Sequence, residues 1–98
     1  MNSCNFLGRL TEDPVVHTGF NGTPVVNLEL EIEEFRTDSR GDKRRHCTYV
    51  DVEAWDTAAT TIEKYAKAGC IMSVESVARN CDDGIYFRVT KFKVMNNR

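Results

Sequence analysis

Apolar and polar residues alternate most regularly between Pro24 and Glu34. Val26, Leu28, Leu30 and Ile32 are interleaved there with Asn27, Glu29, Glu31 and Glu33. A period of two puts the four aliphatic side chains on one face of a strand, whereas a helix would scatter them. The pattern predicts a strand with one face toward a core and an acidic, wet face opposite. Cys47 to Trp55 alternates in the same way. Thr48, Val50, Val52 and Ala54 share one face, and Cys47, Tyr49, Asp51, Glu53 and Trp55 share the other.

Shorter signals fill in the remainder. Asn5 to Leu10 reads as a first strand, broken by Thr11-Glu12-Asp13-Pro14, and Val15 to His17 resumes it briefly. Thr18 to Thr23 contains Asn21-Gly22, a strong turn signal. Phe35 to His46 is polar with Gly41 inside, and is expected to be a long loop or a mobile hairpin tip. Asp56 or Thr57 is placed to cap a helix running to about Ala68, with Ala58, Ala59, Ile62, Tyr65 and Ala66 as its apolar stripe and Gly69 as its stop. Ile71 to Ala78 and Ile85 to Val94 read as two further strands joined at Asp82-Asp83-Gly84. The order β-β-β-α-β-β, with one helix between the third and fourth strands, is that of a five-stranded OB-fold barrel.

Length and composition narrow the class. Ninety-eight residues, 41% hydrophobic and 29% charged, make one ordinary globular domain with a modest core, which oligomerisation would supplement. No run of 18 apolar residues is present, so no membrane-spanning helix is expected. The start shows no basic stretch leading into an apolar run, so a reducing compartment is expected: cytoplasmic and nucleoid-associated, with a plastid as the alternative. Cys4, Cys47, Cys70 and Cys81 form no C-x-x-C pair, and His17 and His46 are not paired either, so free thiols are expected rather than a zinc site. No nucleophile–base set, metal cluster or Gly-rich phosphate loop is visible, which argues against an enzyme and against a cofactor.

Three stretches, in order and at matching separations, resemble the bacterial single-stranded-DNA-binding protein family. The first is Phe6-Leu7-Gly8-Arg9-Leu10-Thr11-Glu12-Asp13-Pro14. The second is Asn21-Gly22-Thr23-Pro24-Val25-Val26-Asn27-Leu28-Glu29-Leu30. The third runs from Tyr49 through Trp55 to Tyr65 and Gly69. Together they cover roughly residues 5 to 79. The resemblance implies a non-catalytic module that stacks bases on aromatic rings and holds phosphates with Lys and Arg, with little sequence preference. It marks Phe35, Tyr49 and Trp55 as stacking candidates. It also implies assembly as a homodimer or homotetramer through the first strand, on single-stranded DNA, with RNA as the alternative polymer.

Two basic clusters are candidates for phosphate contacts: Arg36, Arg40, Lys43, Arg44 and Arg45 in the expected loop, and Arg88, Lys91, Lys93 and Arg98 near the end. Arg9 and Arg79 are further single candidates. Three departures from the family pattern stand against these. Cys81 lies near where a further aromatic is expected. Asp51 and Glu53 share a face with Tyr49 and Trp55. The sequence stops without the acidic-tipped tail that recruits replication proteins, so either this is a piece of a longer chain or it recruits partners differently. With a formal net charge of −2, these features keep a second expectation open: an OB-fold accessory module, of the primosomal or plastid and cyanobacterial type, with weak or no DNA binding.

Overall fold

The computed structural model describes residues 1 to 95, and Arg98 of the second basic cluster lies outside the described residues. Six strands and one helix follow in order: β1 (Cys4–Leu10), β2 (Val16–Thr18), β3 (Pro24–Thr37), β4 (Lys43–Trp55), α1 (Asp56–Tyr65), β5 (Ile71–Cys81) and β6 (Gly84–Met95). The sheet order is β1-β5-β6-β4-β3-β2, and β1 also pairs with β3 through Arg9↔Glu31 and Leu10↔Leu30. That extra pairing closes β1, β3, β4, β5 and β6 into the expected barrel. The short β2, a flank of β3, moves the helix to between β4 and β5 in this numbering.

Alternation along β3 and β4 does what its period requires. Val26, Leu28, Leu30, Val52 and Ala54 are buried inside, where Leu10, Met72, Val74 and Val89 meet them. Each fully buried aliphatic side chain contributes about 1.5–3 kcal/mol. Phe6 and Phe87 extend this core, edge to face, with ring centroids 5.3 Å apart. Ser76, the one buried polar residue of the described core, is satisfied by donating its hydroxyl to the Cys4 carbonyl at 2.7 Å.

Helix α1 packs Ala59 and Ile62 onto β3 and β4, and Ala66, just past its end, is buried with them. It differs from expectation in three ways. It stops at Tyr65 rather than near Ala68, since the Ala66 backbone is already extended. Tyr65 belongs to the apolar spacing yet is 62% exposed, its ring lying beneath the Lys64 ammonium. Neither Asp56 nor Thr57 caps the helix: Trp55 holds the N-cap position without a side-chain hydrogen bond, and Asp56 adopts a left-handed φ of 57°.

The expected loop at Phe35 to His46 is instead two paired strands. Pairing continues through Phe35↔Arg45, Arg36↔Arg44 and Thr37↔Lys43, so β3 and β4 project beyond the barrel as an arm. Charged side chains concealed this, because an arm with no core to face needs no apolar alternation. Asp38 organises its tip. The Asp38 side chain accepts from the amides of Arg40 and Asp42, each at 2.9 Å, and its own amide donates to the Asp42 carbonyl at 2.8 Å. Gly41 supplies the positive φ of 83° that the turn requires. The β5–β6 hairpin also runs further than its apolar pattern, to Cys81↔Gly84, leaving Asp82-Asp83 as the turn.

Barrel closure depends on close backbone approach at Gly8. A Cβ there would lie 2.9 Å from the Glu31 carbonyl oxygen and 3.1 Å from Leu30 Cβ. Gly8→Ala is therefore expected to destabilise the domain by about 1–3 kcal/mol through overpacking at the β1–β3 seam. A thermal melt checks this, at roughly 4–8 °C per kcal/mol for a domain of this size.

Candidate nucleic-acid interface

Directly opposed residues of an antiparallel pair share a face, so the register of β3 and β4 fixes the outer wall of the barrel. From the helix end to the arm the pairs on this face are Val25↔Trp55, Asn27↔Glu53, Glu29↔Asp51, Glu31↔Tyr49, Glu33↔Cys47 and Phe35↔Arg45, of which Val25 alone is fully covered by its neighbours. Tyr49 and Trp55 thus point outward together, as their spacing predicts, and neither enters the barrel. Phe35 lies on the same face, out on the arm, and is 63% exposed.

The three rings are held differently. Trp55 is half-buried against β6, with the Arg88 guanidinium carbon 5.0 Å from its ring centroid, a cation–π contact. Its indole Nε1–H is buried and finds no acceptor among the described residues. Tyr49 is exposed but tethered, its hydroxyl donating to Glu31 at 2.8 Å. That hydrogen bond, and then the charge of the same carboxylate, pushes the phenol pKa above its ordinary value. Phe35 stands free across from Arg45.

Between the rings the wall is acidic. Glu29, Glu31, Glu33, Asp51 and Glu53 all project from it. Arg45 answers two of them, donating to Glu33 at 2.6 Å and approaching Glu31 at 3.8 Å. The Glu33 hydrogen bond is the main reason that the Arg45 pKa is raised. Glu29 accepts from the Thr11 hydroxyl at 2.9 Å. Asp51 has no hydrogen bond or ion pair among the described residues, while Glu53 faces Arg88 across β4 and β6. Glu31, Glu33 and Cys47 bring possible metal-ligand atoms within 4.8 Å of one another, but the guanidinium of Arg45 already supplies the positive charge there.

Much of the first basic cluster is occupied internally. Arg44 donates to Asp38 at 3.0 Å, Arg36 lies 3.7 Å from Glu34, and Arg45 is spent on the acidic wall. Arg40 and Lys43, at and beside the arm's turn, carry no ion-pair partner among the described residues. Arg9 donates to the Gly69 carbonyl at 2.9 Å, beside the β1–β3 seam. Of the second cluster, Arg88 joins Trp55, whereas Lys91 and Lys93 pair with Glu75 and Ser73 on the far side of an irregularity in β5 and β6. Arg79 is exposed and lies directly opposite Tyr86. Tyr86 therefore stands on the outer face near Arg88, while Phe87 packs inward. The hairpin register, Arg79↔Tyr86 and Ala78↔Phe87, decides which of these two rings faces outward.

Closed barrel, capping helix and outward rings define the class as a small OB-fold binding module. Residues 1–82 match the Single-strand binding protein family, and the chain belongs to that family. Single-stranded DNA-binding protein 2 of Chlorobaculum tepidum is 38% identical over 60 residues, which are 60% of this chain and 40% of the relative. Wild-type single-stranded DNA binding protein from Thermus aquaticus superposes with a TM-score of 0.83 at 19% identity, and a deletion mutant of it with 0.85 at 20%. Each covers all of this chain and 52% of the other. The protein PriB from Ralstonia solanacearum superposes with a TM-score of 0.74 at 14% identity, covering 97% of this chain and 99% of its own. At these identities the structural likenesses are of fold. The chain spans about half or less of the length of the single-stranded-DNA-binding relatives.

The Asp38 carboxyl is held below the ordinary aspartate range, first by Arg44 and then by the Asp42 amide. A depressed pKa stabilises the folded turn above the unfolded value, about 3.9, and that contribution fades as pH falls through the lower folded value. Amide exchange at Arg40 and Asp42 is thus expected to accelerate below about pH 3.9 relative to barrel amides. Asp38→Ala is expected to produce the same loosening at neutral pH.

Proposed function

We propose that this domain binds single-stranded DNA with little sequence preference, stacking bases on outward aromatic rings and holding phosphates with Arg and Lys. The observation that carries this reading is the outward placement, on one wall of a barrel from this family, of the exposed Tyr49 and Phe35 and the half-buried Trp55. Burial would have left these rings only a packing role. Each base stacked on an aromatic ring is worth about 1–3 kcal/mol by alanine substitution. The names of the relatives from Chlorobaculum tepidum and Thermus aquaticus support the same polymer.

Assembly through β1 accords with the fold. Only Arg9 and Leu10 of β1 pair with β3, so Cys4 to Gly8 hydrogen-bond β5 on one side and keep their other edge unpaired among the described residues. An edge of this kind is a template for a second copy. A homodimer or homotetramer is the proposed state.

The acidic wall favours a second reading, an OB-fold interaction module with little DNA affinity. A titration with oligo-dT at two salt concentrations, following Trp55, separates the two. Stacking is expected to quench the single tryptophan, with affinity falling as salt rises. An unchanged spectrum at low salt would leave the interaction-module reading. Trp55→Ala is expected to weaken binding while the domain still folds, because the ring is only partly buried; a fully buried ring would cost about 3–5 kcal/mol. Asp51→Asn with Glu53→Gln is expected to tighten binding, since carboxylates within a Debye length of about 8–10 Å repel a phosphate chain.

A further inference from the structure

Resting on the single-stranded-DNA reading, we infer that the base-stacking wall of β3 and β4 does not end at Trp55 but continues onto Phe20, a further base platform at the helix end of the domain. Phe20 lies in the short turn between β2 and β3, outside the elements that carry the other three rings.

The strand register places that turn on the wall. His17 pairs with Val25, and Val25 pairs with Trp55, so the three form one row on a single face of β2, β3 and β4. Val25 is outside the core cluster, yet only 3% of its surface reaches water. Part of its cover is Gly19. A Cβ on Gly19 would lie 2.8 Å from Val25 Cγ2, so the backbone there rests directly on the Val25 side chain. The turn that carries Phe20 is therefore folded down over the outer face, one strand away from Trp55.

The ring is presented rather than packed. Phe20 is 86% exposed, more than any other large hydrophobic side chain described except Met1. The backbone beneath it is fixed. Phe20–Gly22 is a single 3-10 turn, in which the Gly19 amide donates to the Thr23 carbonyl at 2.7 Å and the Gly22 amide to the Gly19 carbonyl at 3.2 Å. Asn21 and Gly22 hold left-handed φ values of 69° and 76°, which Asn and Gly accept most readily. A ring left in water adds little to the fold. On a fixed turn it offers a π-face with little ordering cost on binding.

Position and charge make a nucleobase the occupant. Along the wall the rings come in the order Phe35, Tyr49, Trp55, with Tyr49 and Trp55 roughly 20 Å apart along β4. Phe20 extends that series past the end of the ladder, since its turn precedes the first residue of β3, Pro24. The carboxylates of the wall stop at Glu53, which faces Arg88. The row beyond it, His17, Val25 and Trp55, holds no acid, although Asp56 follows Trp55 in the chain at the head of α1. The Arg88 guanidinium stands over Trp55. A strand passing from Trp55 to Phe20 thus leaves the carboxylates of the wall behind and keeps a cation beside it, which the phosphates require. A π-face there takes any base, so the extension adds affinity without sequence preference.

The test moves the single tryptophan to position 20. Phe20→Trp combined with Trp55→Phe keeps a ring at both positions and leaves one indole, on the turn. Emission of that indole is expected to fall as an oligo-dT of about 16 nucleotides binds. In the otherwise natural chain, Phe20→Ser is expected to weaken binding about fivefold or more, read by anisotropy of the labelled oligo-dT, with the circular dichroism melt unmoved. Phe20→Tyr, which restores a ring, is expected to stay within about twofold of the natural chain. Should the doubly substituted protein fail to fold, Phe20→Ser and Phe20→Tyr decide alone. A Phe20→Ser protein that binds as tightly as the natural chain, or an indole whose emission stays constant while anisotropy reports binding, overturns the inference and leaves the DNA reading standing. A natural chain that does not bind at low salt overturns the DNA reading, and this inference with it.

Discussion

The long antiparallel ladder between β3 and β4 governs everything else in this molecule. One register, running from Val25↔Trp55 to Thr37↔Lys43, serves three regions. In the barrel its inward residues make the core. On the outside it brings five carboxylates together with two aromatic rings. Past the barrel it continues as an arm tipped by the Asp38 turn. Because side chains alternate strictly, a slip of one residue would exchange the aliphatic and acidic sets, burying glutamates and exposing leucines. That cost pins the register, and the register in turn pins where Tyr49 and Trp55 can point.

Closing the barrel adds a second constraint. β1 reaches β3 only because Gly8 lets the two backbones approach, and the seam is then fixed by Leu10 and Leu30 in the core. On the opposite side β4 meets β6 in a brief parallel pairing, which carries Arg88 to Trp55. That closure brings a guanidinium to the ring at the end of β4, whereas the carboxylates stand along the β3–β4 ladder.

Several features were legible because they depend on local periodicity. Strands β3 and β4 show it in their alternation, and the outward set containing Tyr49, Asp51, Glu53 and Trp55 follows from the same period. Helix α1 shows it in Ala59 and Ile62. The arm was not legible, since its pairing is stabilised by backbone bonds and by Asp38 rather than by a buried face, and so its sequence is polar like a loop. Tyr65 was misassigned because helical spacing identifies a face without saying how far the neighbouring sheet extends beneath it.

By itself, the sequence determined the elements that pack on the core, the inward and outward faces of the main strands, and the family. All three follow from side-chain order along the chain, which no later packing can alter. Tertiary structure decided which charges meet: that Arg45 answers Glu33, that Arg44 holds Asp38, and that Arg88, distant along the chain, covers Trp55. Those pairings depend on strand registers and on barrel closure, and closure is a property of the whole sheet. A basic residue read in isolation is a candidate for phosphate; only its folded neighbours show whether its charge is still available.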